Sequence, residues 1–326
     1  MKNHKILVTG CFGFIGFHVS NLLSEQYSVF GLDYLQQNHN IYSLRKKYLN
    51  KTIQYRIIDI TDYDELNNYV SKIKPDIIIH LAAQTGISKS KESPKDYFQS
   101  NIAGFFNMLE VARNNNITNL IYASSSSVYG NLQKNVFSES DVLEKQLSFY
   151  STTKLINEKL AESYSLNFGT NTFGLRFFTV YGSWTRPDMA AWKFMDAIIN
   201  NKEVTLYNEG NVSRDFTHVS DIANSILLLY EKIIDIKQNN TSKIFNVGNG
   251  KSILIKDYFS EIKANFSNKS NVIYTSLPKD EMKKTVADTT LLENYINYKS
   301  NIPLKKGVKE MTDWYKKYIL KETTRI

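Results

Sequence analysis

Three glycines set the first constraint on this chain. In the segment KILVTGCFGFIG, an apolar run at residues 6–8 leads into Gly10, Gly13 and Gly16, and helix-like sequence opens at Phe14. A buried strand, a glycine turn and a helix N-terminus make a site for an anion such as a pyrophosphate. Bare backbone permits close approach, and the first N–H groups of the helix and its dipole face the charge. The chain is therefore expected to begin with a dinucleotide-binding βαβ unit. The spacing is G-x-x-G-x-x-G rather than G-x-G-x-x-G, so context has to support it. Residues 27–32 read as a second strand, and Asp33 follows. A carboxylate there accepts both hydroxyls of an adenosine ribose and repels a 2′-phosphate, so the expected cofactor is NAD rather than NADP.

Strand and helix signals alternate through the first half, the pattern of a parallel sheet covered on both faces. A polar loop is expected at 36–40. A third strand at 53–58 ends at Asp59, a helix runs over 62–72, and a fourth strand covers 76–81. One long helix is expected over 94–113, a fifth strand over 120–123, a helix over 149–167 and a sixth strand over 172–177. Past Phe178 the alternation becomes irregular. Residues 217–248 read as one more helix and strand returning to the sheet, with Ser220 as candidate N-cap. The expected fold is α/β: a Rossmann-type doubly wound parallel sheet with a smaller C-terminal substrate-binding lobe. The dinucleotide domain spans 1–178 with 217–248 added, and 179–326 form mainly the second lobe.

Several classes are excluded. The net charge is +8, but lysines are scattered among acids without a basic arm, which argues against nucleic acid and suits an anionic small substrate. Cys11 is the single cysteine, so no internal disulfide forms and a reducing cytoplasmic setting fits. The apolar start runs straight into the glycine turn, unlike a signal peptide, and no apolar run is long enough to span a bilayer. The five histidines are dispersed without metal-ligand spacing, so no metal is expected.

Tyr150 and Lys154 carry the chemistry. Four residues apart on a helix, they share a face. An ammonium there is expected to lower the phenol pKa, and a positive nicotinamide adds to this. The resulting phenolate suits proton removal from a sugar hydroxyl while hydride leaves the same carbon. Tyr42/Lys46 and Tyr295/Lys299 match the same spacing. Position selects Tyr150: it opens the helix after strand five, whose C-terminal end carries Ser124, Ser125, Ser126 and Ser127. Strand C-termini face the ligand crevice of a parallel sheet, where a serine can share the reacting proton.

These segments, with HLAAQ at 80–84 and YASSSSVYG at 122–130, resemble the extended short-chain dehydrogenase/reductase superfamily over nearly the whole chain. LRFFTVYG at 175–182, RPDMA at 186–190 and RDFTHVSDI at 214–222 are most similar to UDP-glucuronate 4-epimerases. The resemblance implies that Gly10, Phe12, Gly13, Phe14, Ile15 and Gly16 hold the NAD pyrophosphate and Asp33 its ribose. It places Asp59 and Ile60 by the adenine. Leu81, Ala82, Ala83, Gln84, Ser124 and Phe177 line the cofactor, and Lys154 bonds the nicotinamide ribose. Tyr150 is implied as base, Ser125 as its partner and Ser127 close to the sugar. Lys89, Ser126, Thr179, Arg186, Met189, Arg214 and Asp280 complete the implied substrate site, Arg214 on the diphosphate and Asp280 on the uridine ribose.

The implied reaction is interconversion of UDP-glucuronate and UDP-galacturonate by oxidation, rotation and reduction at C4. Dehydratases of the superfamily carry Asp-Glu where Ser126 and Ser127 stand, and UDP-glucuronate decarboxylases carry Glu at Ser127. Neutral-sugar epimerases usually have Asn at Thr179. An arginine fork at Arg186 matches a uronate carboxylate. Pro278-Lys279-Asp280 replaces Pro-Gly-Asp, Thr185 replaces a small residue, and Lys89 stands where arginine is usual. Another UDP-hexose 4-epimerase, acting on UDP-glucose, UDP-galactose or their N-acetyl forms, a decarboxylase and a non-catalytic NAD sensor remain alternatives. The family also implies a homodimer through helices 94–113 and 149–167.

Overall fold

A computed structural model describes residues 4–34, 40–237, 239–268, 270–278 and 282–320. The first half runs β1 (Lys5–Thr9), α1 (Phe14–Leu23), β2 (Ser28–Asp33), α2 (Asn40–Tyr48), β3 (Gln54–Ile57), α3 (Tyr63–Ile73) and β4 (Ile77–His80). It continues through α4 (Ile87–Glu92), α5 (Pro94–Tyr97), a π turn (Phe98–Ala103), α6 (Gly104–Asn114), β5 (Asn119–Ser125), α7 (Phe149–Phe168) and β6 (Asn171–Phe177). The second half contains β7 (Thr179–Tyr181), α8 (Ala190–Ile199), β8 (Val204–Tyr207), β9 (Ser213–His218), α9 (Val219–Ile233) and β10 (Ser242–Val247). It ends with β11 (Ser252–Leu254), α10 (Ile255–Lys263), β12 (Val272–Thr275), α11 (Thr290–Ile296) and α12 (Leu304–Tyr315).

Among the described residues, seven strands form one parallel sheet in the order β10-β6-β5-β4-β1-β2-β3. This is the doubly wound sheet expected from the alternating signals. The winding reverses between β1 and β4, where Thr9 pairs with His80, and ligands of such sheets bind outside the strand C-termini at that point. β1 and β4 are buried throughout their central residues, so they read as continuous apolar runs rather than alternating ones. Val8, Ile79, Phe173 and Phe245 pack under α1, α9 and α11 on one face. Leu7, Ile78, Leu120 and Tyr122 pack under α3, α6 and α7 on the other.

A second core gathers Tyr181, Trp192, Met195, Leu206, Phe216, Tyr258, Met311 and Trp314 around a small sheet, β11-β9-β7, and the β12-β8 pair. α9 and β10 belong to the large sheet, and α11 packs there through Leu292 and Ile296. β9 lies in the small sheet.

Four local readings are corrected. Asn40 opens helix α2, not a loop, and Ile41 of that helix packs into the second core; residues 36–39 lie outside the described ones. The single helix at 94–113 is interrupted by a π turn at Phe98–Ala103. Gly104 follows the turn, where a Cβ would meet Ile60 Cγ1 at 2.6 Å. The cap of α9 is His218 rather than Ser220: the Ser220 N–H donates to His218 Nδ1 at 3.3 Å. An imidazole nitrogen satisfies the same orphan donor as a serine oxygen. Strand three is also shorter than expected, covering Gln54–Ile57 at the sheet edge. No helix among the described residues is long and apolar enough to cross a membrane.

Candidate active site

A cavity of about 650 Å³ opens at the C-terminal ends of β1, β4 and β5, under the second lobe. Gly10, Gly13, Phe14, Ile15, Gly16, Asp33, Asp59, Ile60, Leu81, Ala82, Ala83 and Gln84 line one end. Gly10 turns the chain at φ +73°, and a Cβ on it would come within 2.8 Å of the Ala82 nitrogen. A Cβ on Gly16 would overlap the Gly10 carbonyl oxygen. α1 then starts from Gly13 with no side-chain cap and no acid in its first turn, leaving its positive end to a ligand anion.

Asp33 ends β2 and accepts the Phe12 N–H at 2.7 Å and the Tyr34 N–H at 2.8 Å. Burial raises its carboxyl to about 6, against the pull of those N–H groups and of the Arg45 charge. Phe12 departs from its implied role. Its ring is fully buried against Tyr55, outside the cavity, and its backbone serves Asp33 instead. Asp59 lines the cavity but uses Oδ1 to hold the Thr61 N–H at 2.9 Å. The glycine cradle, the uncapped helix and this carboxylate fit a dinucleotide with free ribose hydroxyls.

Ser124, Ser125, Ser126, Ser127, Tyr150, Lys154 and Phe177 form the middle of the cavity. Ser148 and Ser151 close a capping box that starts α7 and fixes Tyr150 in its first turn. Ser125 lies beside the Tyr150 phenol and favours its charged form; it caps the following turn through the Ser127 N–H at 3.2 Å and accepts the Ser127 hydroxyl at 3.0 Å. The Ser124 hydroxyl is turned away, donating to Glu158 at 2.5 Å. Lys154, 3% exposed, donates to the Ala123 carbonyl at 2.9 Å.

The electrostatics correct one expectation. Burial raises the Tyr150 phenol above its ordinary value near 10, and the groups that oppose this are Ser125 and Arg186, not Lys154. Lys154 is itself pulled down to about 8 by burial, with Glu158 acting against the drop. A phenol this deep in protein loses more from desolvation than a neighbouring ammonium returns.

Thr179, Arg186, Met189 and Arg214 line the far end, brought there by β7, the loop before α8, and β9. The Arg186 guanidinium is already engaged. Nε and Nη2 donate to the two oxygens of Asp188 at 3.0 and 2.9 Å, and Nη1 donates to the Thr85 hydroxyl. Arg214 Nη1 donates to the Met282 carbonyl at 2.7 Å. Lys89 is exposed on α4 and does not line the cavity. Asp280 lies outside the described residues.

Tyr42, Thr85 and Gly86 are among the cavity residues that escaped the sequence reading. Asp188 and Asn101 escaped it too. Asn101 sits in the π turn, where its Oδ1 takes the Gln84 N–H at 2.8 Å and its Nδ2 reaches Thr153 at 3.0 Å. It thereby ties the cofactor-side loop to the helix of Tyr150 and Lys154. The available signal was the polar run Gln99-Ser100-Asn101 inside an otherwise amphipathic helix; π turns cluster at functional sites.

A glycine cradle, the Asp33 carboxylate and a phenol, serines and a lysine share one crevice, an arrangement that fits a dinucleotide-dependent enzyme. Residues 6–248 match the NAD dependent epimerase/dehydratase family, and the chain belongs to it. It is 36% identical to Protein CapI of Staphylococcus aureus over 334 residues, covering 97% of this chain and 100% of that protein. It is 33% identical to the probable UDP-glucuronate 4-epimerase of Rhizobium meliloti, covering 95% and 96% of the two chains. The solved UDP-glucuronic acid 4-epimerase of Bacillus cereus, in complex with UDP-glucuronic acid and NAD, superposes with a TM-score of 0.87 at 30% identity, covering 96% and 99%.

Proposed function

We propose that the protein is an isomerase that interconverts UDP-glucuronate and UDP-galacturonate at C4. The observation that carries this reading is the placement of Tyr150, Ser125 and Lys154 in the same cavity as Thr179 and Arg186, opposite the glycine cradle. The named activities of the Rhizobium and Bacillus relatives support it. NAD, when bound, would supply the acceptor and donor of the C4 hydride, and its nicotinamide charge would favour a nearby phenolate.

The protein's own groups do the rest. Gly10, Gly13, Gly16 and the α1 N-terminus hold the pyrophosphate, and Asp33 the adenosine ribose. Lys154 holds the nicotinamide ribose. The Tyr150 oxygen takes the C4 hydroxyl proton, with Ser125 donating to it, and gives the proton back after the sugar has turned. Ser126, Ser127, Thr179 and Met189 shape the sugar end, and Arg214 meets the diphosphate. The lobe built around β7, β8, β9 and α12 is the substrate-binding lobe.

One observation favours a second reading, a 4-epimerase of a neutral UDP-hexose: Asp188 already takes one fork of Arg186. Asp188 uses the Nε/Nη2 side of the guanidinium, and the Nη1/Nη2 end still offers N–H groups to a uronate carboxylate. UDP-glucuronate and UDP-glucose, incubated separately with the purified protein and followed by NMR, decide between them. Turnover of UDP-glucuronate to UDP-galacturonate is expected. Turnover of UDP-glucose alone would remove the carboxylate role of Arg186.

A homodimer is part of the proposal. Leu166 (66% exposed), Phe168, Phe106 and Phe98 present apolar surface on α7, α6 and the π turn, which supports pairing through these helices. Light scattering should give twice the 37.6 kDa chain mass, and a monomeric mass would refute it.

A further inference from the structure

Arg45 lies on α2 with its side chain fully buried. A buried guanidinium has to place five N–H donors held in one plane. Nη1 donates to the Phe12 carbonyl at 2.9 Å. Nε and Nη2 donate to the Trp184 carbonyl at 3.0 and 2.7 Å, and Nη2 also reaches the Thr185 carbonyl at 3.3 Å. These carbonyls belong to segments that flank the cavity: Phe12 lies between the lining residues Gly10 and Gly13, and Trp184 and Thr185 precede the lining residue Arg186. Phe12 is in the glycine turn, and its N–H holds Asp33 at 2.7 Å. Trp184 and Thr185 lead directly into Arg186, which bonds Thr85 and Asp188 at the sugar end.

Trp184 adds an independent sign. Its φ is +62°, a left-handed conformation that bulky L residues rarely adopt. Such an outlier persists only where its surroundings hold it, and it gathers at functional sites. Here the indole is packed among Phe17, Tyr48, Trp314 and Tyr318 at ring distances of 5.0–5.4 Å. Two Arg45 donors fix its carbonyl.

We propose that Arg45 is a positioning residue that couples the two halves of the site. Ordering of the glycine turn and Asp33 by NAD passes through the Phe12 carbonyl and the rigid Arg45 plane to residues 184–186, which then hold Arg186 ready for the sugar. The proposal rests on the reading above, in which NAD meets Asp33 and the sugar meets Arg186. Coupling between two binding sites is reciprocal, so the sugar nucleotide tightens NAD by the same factor. A lysine keeps the charge but carries its donors at one point, so it cannot hold both carbonyls in a fixed relation.

The test is a titration of UDP-glucuronate into NAD-stripped and NAD-saturated protein, wild type and Arg45→Lys. Wild-type affinity should rise about tenfold with NAD. In Arg45→Lys the two affinities should be equal, even where both are weaker than in wild type. A purely structural arginine would lower the melting temperature and leave the ratio unchanged. Amide exchange at Trp184, Thr185, Arg186 and Asp188 in wild type should slow when NAD is added, a measurement that decides even if the variant does not fold. An equal ratio in the two proteins, a wild-type ratio of one, or exchange indifferent to NAD would overturn the coupling. If wild type binds neither NAD nor UDP-glucuronate, the titration is silent and the parent reading fails first.

Discussion

Tyr150→Phe should lower kcat by about a thousandfold, the range expected when a positioned acid–base group is removed. The ring keeps its volume and its edge-on contact with Tyr97, 6.1 Å between centroids. Only the phenol oxygen beside Ser125 is lost. NAD should stay bound, because the glycine cradle and Asp33 are untouched, and the melting temperature should hold. Turnover by NMR and NAD content by absorbance check this. Unchanged turnover with bound NAD would show that another group takes the C4 proton. Since burial pushes the phenol up, Tyr150 should stay protonated at neutral pH in NAD-free protein, and a phenolate seen there by ultraviolet difference absorbance would contradict this.

Glu158→Ala should be the most destabilising change close to the site. Glu158 and Arg176 form a bidentate pair at 2.9 and 2.8 Å, with side chains only 6% and 5% exposed. Ser124 donates to the same carboxylate, and Arg176 continues to Tyr129 at 3.0 Å, which donates to Asn246 at 2.6 Å. Removing one member of a buried pair strands the other charge and costs about 3–5 kcal/mol. For a chain of 326 residues the unfolding entropy is about 0.7 kcal/mol per degree, so the melting temperature should fall by about 4–7 °C. The Glu158→Leu, Arg176→Met double variant should recover a large share of this.

The same carboxylate raises the Lys154 pKa against burial. Without Glu158, Lys154 loses its proton at a pH lower than about 8. The alkaline loss of activity should therefore move to lower pH in Glu158→Ala. A melting loss with an unmoved pH profile would separate the structural role of Glu158 from any influence on Lys154.

Much of the architecture was legible because it follows from local pattern. The glycine turn and the apolar β1 and β4 each declare themselves within a dozen residues, and the parallel order follows from strand–helix alternation. Asp33, Tyr150, Lys154 and the serines were found because their distance from a strand end is fixed in sequence. The π turn, helix α2 and the cap of α9 were not legible. The first two are decided by partners far along the chain, Asn101 by Gln84 and Thr153 and Ile41 by the second core; the cap of α9 was missed because an imidazole, at the end of β9, takes the place of the usual hydroxyl or carboxylate.

The chain's order of residues by itself determined the winding of the large sheet, the cradle at Gly10 and Gly16 and the grouping of Tyr150 and Lys154 on one helix face, because close backbone approach and helix spacing are local properties. Only the tertiary structure decided how those groups are charged and aimed. Burial, not the nearby ammonium, governs the Tyr150 phenol; Asp188 shares Arg186; and Arg45 joins carbonyls from positions 12 and 184. Desolvation and hydrogen-bond partnership depend on what surrounds an atom in space, and that is set by packing between segments that no local pattern relates.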